Sequence, residues 1–303
     1  MNNKVVIIGC GNVGMAYAYA LVNQRTYVNS LVLIDINKER TEGEVMDLNH
    51  SLSYAPSKIS ITVGDYKDCK DARIVVIAAG ANQKPGETRV DLIHKNSGIF
   101  KDIVGNVMAS GFNGIFVVAT NPLDVMTYLT YKYSGLPTSK VIGTGTSLDT
   151  ARLQLMIGHR LCINPKNIHA YVIGEHGDSE FIPWSNANVS LQNIKDLISK
   201  EEMENIEDNV RNAAYDIIDK KGSTCYGIGM ALVKITNAIL GDENIIIALS
   251  VYDEKNDVYV GLPAILNKNG VERRIPLKLT KEEEVKLQHS IDVIKENINS
   301  VNM

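Results

Sequence analysis

The feature that most constrains this chain lies between Lys4 and Asp35. Lys4-Val5-Val6-Ile7-Ile8 is a short unbroken apolar run, the mark of a strand buried on both faces. Gly9-Cys10-Gly11-Asn12-Val13-Gly14 follows at once, then a helical stretch from Met15 to about Asn23. A second buried run, Leu31-Val32-Leu33-Ile34, ends in Asp35, about 20 residues past the last glycine. Three glycines at this spacing are weak evidence alone. Strand, glycines, helix, strand and terminal acid in this order are specific. Gly9 allows the tight turn, Gly11 lets a pyrophosphate approach the backbone, and Gly14 lets helix and strand close up. The helix N-terminus offers N–H groups and a partial positive charge to phosphates. Asp35 would accept hydrogen bonds from the adenosine ribose and repel a 2′-phosphate, so the expected cofactor is NAD in preference to NADP.

Further apolar strands continue the pattern at Ile59–Val63, Ile74–Ala79, Ile115–Thr120 and Val141–Ile142. Helical segments lie between most of them, including Asn96 to about Ser110, with Ile99, Phe100, Ile103, Val104 and Val107 on one face. Strands alternating with helices predict an α/β fold, a Rossmann-type doubly wound parallel sheet. Its ligand belongs beyond the carboxyl ends of the strands. Two segments at those ends stand out. Gly80 to Arg89 is a polar loop with Gly and Pro hinges, the composition of a lid. Asn121-Pro122-Leu123-Asp124 makes a sharp turn at a bond that can be cis, and aims the Asn121 amide toward the cleft.

The 303 residues carry a net charge of −4 without a basic patch, which disfavours nucleic acid as a partner. Four dispersed cysteines (Cys10, Cys69, Cys162, Cys225) without a CxxC pair read as reduced thiols, not as a zinc site or disulfide set. No stretch approaches the ~20 apolar residues of a membrane span, and no signal peptide is evident. A cytoplasmic protein is expected.

Gly143-Thr144-Gly145 interrupts the strand–helix alternation. The expected division is a dinucleotide-binding domain over 1–143 and an α+β substrate-binding domain over 144–303. Asp149 and Arg152 open a helix three residues apart and so share a face. Tyr171-Val172-Ile173 reads as a strand and runs into Gly174-Glu175-His176-Gly177-Asp178. Flanking glycines turn the backbone sharply and leave the imidazole facing open space. Histidine titrates nearest neutrality, which suits proton transfer. Each of these features has a plain structural explanation when taken singly: a turn histidine, a surface ion pair, a helix cap. Helices are expected over Lys200–Lys221, with Val210, Ala213, Ala214, Ile217 and Ile218 as its apolar stripe, and from near Gly227. Strands are expected at Ile245–Leu249, Val258–Gly261 and Gly270–Ile275, and Thr280-Lys281-Glu282-Glu283 is a capping box.

Together, and in this order, the glycine turn, the Gln83–Arg89 loop, the Asn121 to Asp124 turn, Asp149-Thr150-Ala151-Arg152 and Gly174-Glu175-His176-Gly177-Asp178 resemble the L-lactate/L-malate dehydrogenase family over essentially the whole chain. Gln83 stands where malate-specific members carry arginine, and Lys220-Lys221-Gly222-Ser223-Thr224 also fits the lactate side of the family. The resemblance implies NAD contacts at Val13, Arg40, Tyr66, Gly80, Ala81, Thr120, Asn121, Thr144 and Ile228, beside Gly9, Gly11, Gly14 and Asp35. It implies pyruvate and L-lactate as substrates, no metal, and a homotetramer. His169 matches a histidine of the fructose 1,6-bisphosphate site of some bacterial members, but Gln154 replaces its arginine, so little or no activation is expected.

The implied chemistry agrees with the residue types. Arg152 presents a planar fork to a carboxylate, and His176 exchanges a proton with the substrate oxygen. Asp149 holds the imidazole and favours its charged form, while Arg89 stabilises charge developing on that oxygen. Asn121 positions the oxygen, and Gln83 and Thr224 line the substrate pocket. Three alternatives stay open at this point: an L-malate or other 2-hydroxyacid dehydrogenase, an NAD-dependent glycosidase, and a non-catalytic NAD-binding module.

Overall fold

The computed structural model describes residues 3–81 and 89–301, Arg89 by its backbone only. Strands β1 (Lys4–Ile8), β2 (Ser30–Ile34), β3 (Ser60–Val63), β4 (Ile74–Ile77), β5 (Ile115–Val118) and β6 (Val141–Gly143) pair in parallel in the spatial order 6-5-4-1-2-3. The order reverses between β1 and β4, which creates a crevice at their carboxyl ends. Helices α1 (Asn12–Asn23), α2 (Lys38–Ser51), α3 (Arg89–Ala109) and α4 (Leu123–Ser134) connect them.

Strand alternation sends side chains to two different cores. Val6, Ile8, Val75, Ile77, Phe116 and Val118 pack against α3 and α4 on one face. Val5, Ile7, Ile74, Val76, Ile115 and Val117 pack against α1 on the other. Burial on both faces is why these strands read as continuous apolar runs.

The chain beyond residue 143 does not leave this sheet behind. Strands β10 (Ile245–Asp253), β11 (Val258–Asn267) and β12 (Gly270–Arg274) extend it antiparallel, β10 joining β6 at Ser250 and Gly143. Helix α7 (Tyr226–Leu240) packs on the α1 face, and α8 (Lys281–Asn299) on the α3–α4 face. A third core gathers Leu153 and Ile157 of α5 (Ser147–Leu161), Ile206 and Val210 of α6 (Lys200–Lys221), and the small sheet β7 (Ile168–His169), β8 (Asn188–Val189) and β9 (Gln192–Asn193).

Four expectations shift. Helix α3 begins at Arg89, not Asn96. The strand expected at Tyr171–Ile173 is replaced by β7, which ends at His169. Ile173 and Gly174 then make single bridges to Phe181 and Gly261. Strand β11 runs past Gly261, where a Cβ would lie 2.7 Å from the Gly174 carbonyl oxygen. Glycine is needed there because β11 buttresses the His176 loop. Finally, the stripe of α6 is buried only at Ile206 and Val210, and Ile218 is exposed. Among the described residues, Ala213, Ala214 and Ile217 of the C-terminal half are covered only in part.

Candidate active site

The glycine turn forms the floor of the crevice. Gly9 has φ +103°, and a Cβ there would sit 2.3 Å from the Ala79 nitrogen. At Gly14 a Cβ would come within 2.0 Å of the Gly9 carbonyl oxygen. Gly11 differs: it caps α1, and a Cβ on it would meet nothing within 4 Å. The helix end therefore faces open space, with no acid in its first turn to compete for an anion. The Asp35 carboxylate closes this cradle by accepting from the Cys10 N–H (2.7 Å) and the Asn37 N–H (2.9 Å). An open cradle of backbone donors with a fixed carboxylate beside it fits a dinucleotide.

The strand ends nearby are tied together. Thr120 Oγ1 donates to the Ala79 carbonyl (2.8 Å), and Asn96 receives the Ala81 N–H (2.8 Å) while its own amide donates to the Asn121 carbonyl (2.9 Å). Asn121 is exposed and precedes the cis bond to Pro122. Gly80 packs closely on Thr120, where a Cβ would lie 2.4 Å from its methyl. Thr144 is buried, with its N–H on the Val118 carbonyl. Val13 and Ile228 are half-buried against the α1-side core. Tyr66 packs on the opposite core, and Arg40 is exposed and pairs with Glu44. Asn12 of α1 donates to Ser223 (3.0 Å), beside the half-buried Thr224. Gln83 lies outside the described residues, as does the Arg89 side chain.

Asp149, Arg152 and His176 do come together. The His176 Nδ1 and Asp149 Oδ2 are 2.8 Å apart, and Arg152 Nη1 donates to Asp149 Oδ1 at 2.5 Å. The Asp149–Arg152 pair is buried, not the surface pair its spacing allows: side-chain exposure is 3% for Asp149 and 13% for Arg152. Desolvation alone would lower the His176 pKa. The Asp149 charge and hydrogen bond, helped by Glu180 and Asp124, outweigh it and push the imidazole up to about 9. Burial opposes ionisation of Asp149 too, but His176 and Arg152 hold its carboxyl below the usual range. With Nδ1 committed to Asp149, Nε2 is left for an incoming group.

Three contacts lie beyond the reach of the sequence patterns, made by Asp124, Thr146 and Asn96. Asp124 is buried; its Oδ2 accepts from the His176 N–H (2.7 Å) and its Oδ1 from Ser250 Oγ (2.5 Å). Thr146 Oγ1 donates to the Val172 carbonyl (2.5 Å), fixing the approach to the loop. Asn96 links the two strand-end segments. No spacing rule connects residues this far apart. His169 is exposed on β7, and the Gln154 amide donates to the neighbouring Ala170 carbonyl (3.3 Å).

Residues 3–143 match the family model described as lactate/malate dehydrogenase, NAD binding domain, and residues 146–303 match lactate/malate dehydrogenase, alpha/beta C-terminal domain. An L-lactate dehydrogenase of Geobacillus sp. (strain WCH70) is 53% identical over 305 residues, covering 97% of this chain and 95% of its own length. A solved lactate dehydrogenase from a Medee basin deep-sea metagenome library is 54% identical, with a TM-score of 0.96 over 99% of this chain and 98% of that one. The minor L-lactate dehydrogenase of Enterococcus mundtii, in its ligands-bound form, is 43% identical with a TM-score of 0.96, covering 100% of this chain and 99% of its own.

Proposed function

Because this chain belongs to the lactate/malate dehydrogenase family, we propose that its Asp149–His176 pair drives the reversible reduction of pyruvate to L-lactate. The activity is that of an NAD-dependent L-lactate dehydrogenase. Bound NADH supplies the hydride that arrives at C2 of the keto acid. His176, charged near neutrality, donates its Nε2 proton to the ketone oxygen, and takes it back during lactate oxidation. Asp149 fixes the tautomer and orientation of the ring through Nδ1. Arg152 uses one N–H on Asp149 and keeps the rest of its fork for the substrate carboxylate. Arg89 completes the charge around the oxygen from the start of α3, Asn121 orients that oxygen, and Thr224 lines the far wall. Gly9, Gly11, Val13, Gly14, Asp35, Arg40, Tyr66, Gly80, Ala81, Thr120, Thr144 and Ile228 hold the dinucleotide. The observation that carries this reading is the imidazole–carboxylate–guanidinium chain, in which a single imidazole nitrogen and a single guanidinium nitrogen are committed to Asp149.

Gln83 sets the substrate. Oxaloacetate would bring a second carboxylate to a neutral amide, and burying that charge unpaired costs on the order of 3–5 kcal/mol, at least two decades in kcat/KM at ~1.4 kcal/mol each. NADH oxidation with pyruvate and oxaloacetate side by side tests this. Comparable kcat/KM values would remove the claim, and Gln83→Arg is expected to move preference toward oxaloacetate.

The fold also fits a fermentative, NADH-reoxidising role after glycolysis in the cytoplasm, in keeping with four free thiols. Among the described residues no helix is long and apolar enough to cross a membrane. Exposed apolar side chains on α1, α6 and α7 (Tyr19, Ile218, Tyr226, Met230) support a homotetramer, checked by sedimentation. With Gln154 occupied on the backbone, fructose 1,6-bisphosphate should leave the KM for pyruvate nearly unchanged.

A further inference from the structure

Glu180 is a buried acid beside His176 to which the proposed chemistry gives no step of its own. It follows His176 by four residues and is 6% exposed. A carboxyl oxygen of Glu180, a ring nitrogen of His176 and a carboxylate oxygen of Asp149 all lie within 4.8 Å of one another. The imidazole therefore has two acids beside it. Asp149 is neutralised from behind by Arg152. Glu180 also lines a cavity of about 380 Å³ between the catalytic loop, α6 and α8, whose walls include none of Arg152, Asn121 or Thr224. The charged groups there are Glu175 and Asp178 of the loop, Glu207 and Arg211 of α6, and Lys286 and His289 of α8. Arg211 and Lys286 both pair with Glu207, and the cations that act on Glu180 are His176 itself, Arg152 of α5 and Arg211.

We propose that Glu180 is a positioning residue acting through His176: its carboxyl, reached from this cavity, supplies a second negative charge that holds the proton on the imidazole. The proposal rests on the reading of His176 as proton donor. Burial first, and the Asp149 charge second, keep Glu180 protonated well above the usual carboxylate range. Glu180 thus stays neutral while the imidazole is securely charged. It ionises as the solution turns alkaline, when that charge would otherwise be lost. An opposite charge at this separation raises a neighbour's pKa by about 1–3 units. The two groups then titrate as a pair.

The test is the pH profile of kcat/KM in both directions for the unmodified enzyme, Glu180→Gln and Glu180→Asp. Pyruvate reduction needs charged His176, and lactate oxidation needs the neutral ring. In Glu180→Gln both midpoints are expected to fall by about one pH unit, while Glu180→Asp, which keeps a carboxyl, returns part of the shift. Loss of packing alone would lower the plateaus and leave the midpoints in place. Unmoved or raised midpoints in Glu180→Gln overturn the proposal. If the Glu180 variants do not fold, Arg211→Gln reads the same coupling from the cavity wall. It delays Glu180 ionisation and lowers both midpoints by a smaller amount; unmoved midpoints there overturn the proposal equally. His176→Asn, run alongside, separates the two readings. Retained pyruvate reduction would remove the proton-donor role itself. An inactive His176→Asn with unmoved Glu180→Gln midpoints would remove only the role of Glu180.

Discussion

The glycine turn proposed to hold the dinucleotide and the His176 cluster proposed to move the proton are built on opposite principles. The cradle is made of backbone and of missing side chains: Gly9 and Gly14 leave room for Ala79 and for each other, and Gly11 leaves room for a ligand. The His176 cluster is made of groups that are present, largely buried and linked by hydrogen bonds, as in Ser250–Asp124–His176–Asp149–Arg152. The cradle fails when an atom is added, and the proton site fails when one is taken away. The two kinds of damage should separate in experiment.

The largest effect is expected from removing the proton. His176→Asn keeps a similar shape and should lower kcat for pyruvate by about 10²–10⁴-fold, while NADH binding, followed by its fluorescence, stays close to that of the unmodified enzyme. A variant that bound NADH poorly would show that the two regions are not independent. Short of mutation, pH does the same work. With the His176 pKa raised to about 9, kcat/KM for pyruvate should hold through neutrality and fall as pH rises through that value, about tenfold per unit beyond it. Lactate oxidation should show the opposite slope.

Adding one carbon probes the cradle. Gly14→Ala puts a Cβ against the Gly9 carbonyl, so α1 must shift; a loss of about 1–3 kcal/mol is expected, seen as a lower Tm and weaker NADH binding together. Gly11→Ala meets no atom of the described residues within 4 Å. Its Tm should hold while NADH affinity falls, because the added methyl occupies ligand space alone. Equal losses of Tm in both variants would break the distinction between packing glycine and ligand glycine.

The same contrast explains which features are legible in the amino-acid sequence. The cradle spans Gly9 to Asp35, and each of its constraints acts over a few residues or between adjacent parallel strands. Periodicity and glycine spacing carry that kind of information. The proton site draws on Asp124, Asp149, His176, Glu180 and Ser250, which meet only after the sheet is assembled. Asp149, Arg152 and His176 are recognisable because their local patterns resemble a known family. Asp124 is visible in its motif, but its grip on the His176 backbone is not. Ser250, in an apolar strand, gives no sign at all. The partly uncovered stripe of α6 has a related cause: a helical repeat shows which side chains share a face, not whether this chain supplies anything to cover it.

The smallest effect comes from the outermost link, and it tests how far the proton site extends. Ser250 sits on β10, at the point where that strand joins β6, and its hydroxyl donates to Asp124 Oδ1. Burial pushes the Asp124 pKa up to about 6, against the pull of Ser250 and the His176 N–H. Ser250→Ala removes one of those pulls. The folded protein should lose about 1 kcal/mol, and Asp124 should ionise at a higher pH than in the unmodified enzyme. A neutral Asp124 accepts less strongly from the His176 N–H, so turnover should fall more at pH 6 than at pH 8, and by less than in any variant above. A loss equal at both pH values would mean that Asp124 acts through its shape alone. No loss at all would end the chain of support at Asp124, and leave the Gly174–Gly261 bridge as the contact of the antiparallel strands with the His176 loop that remains to be tested.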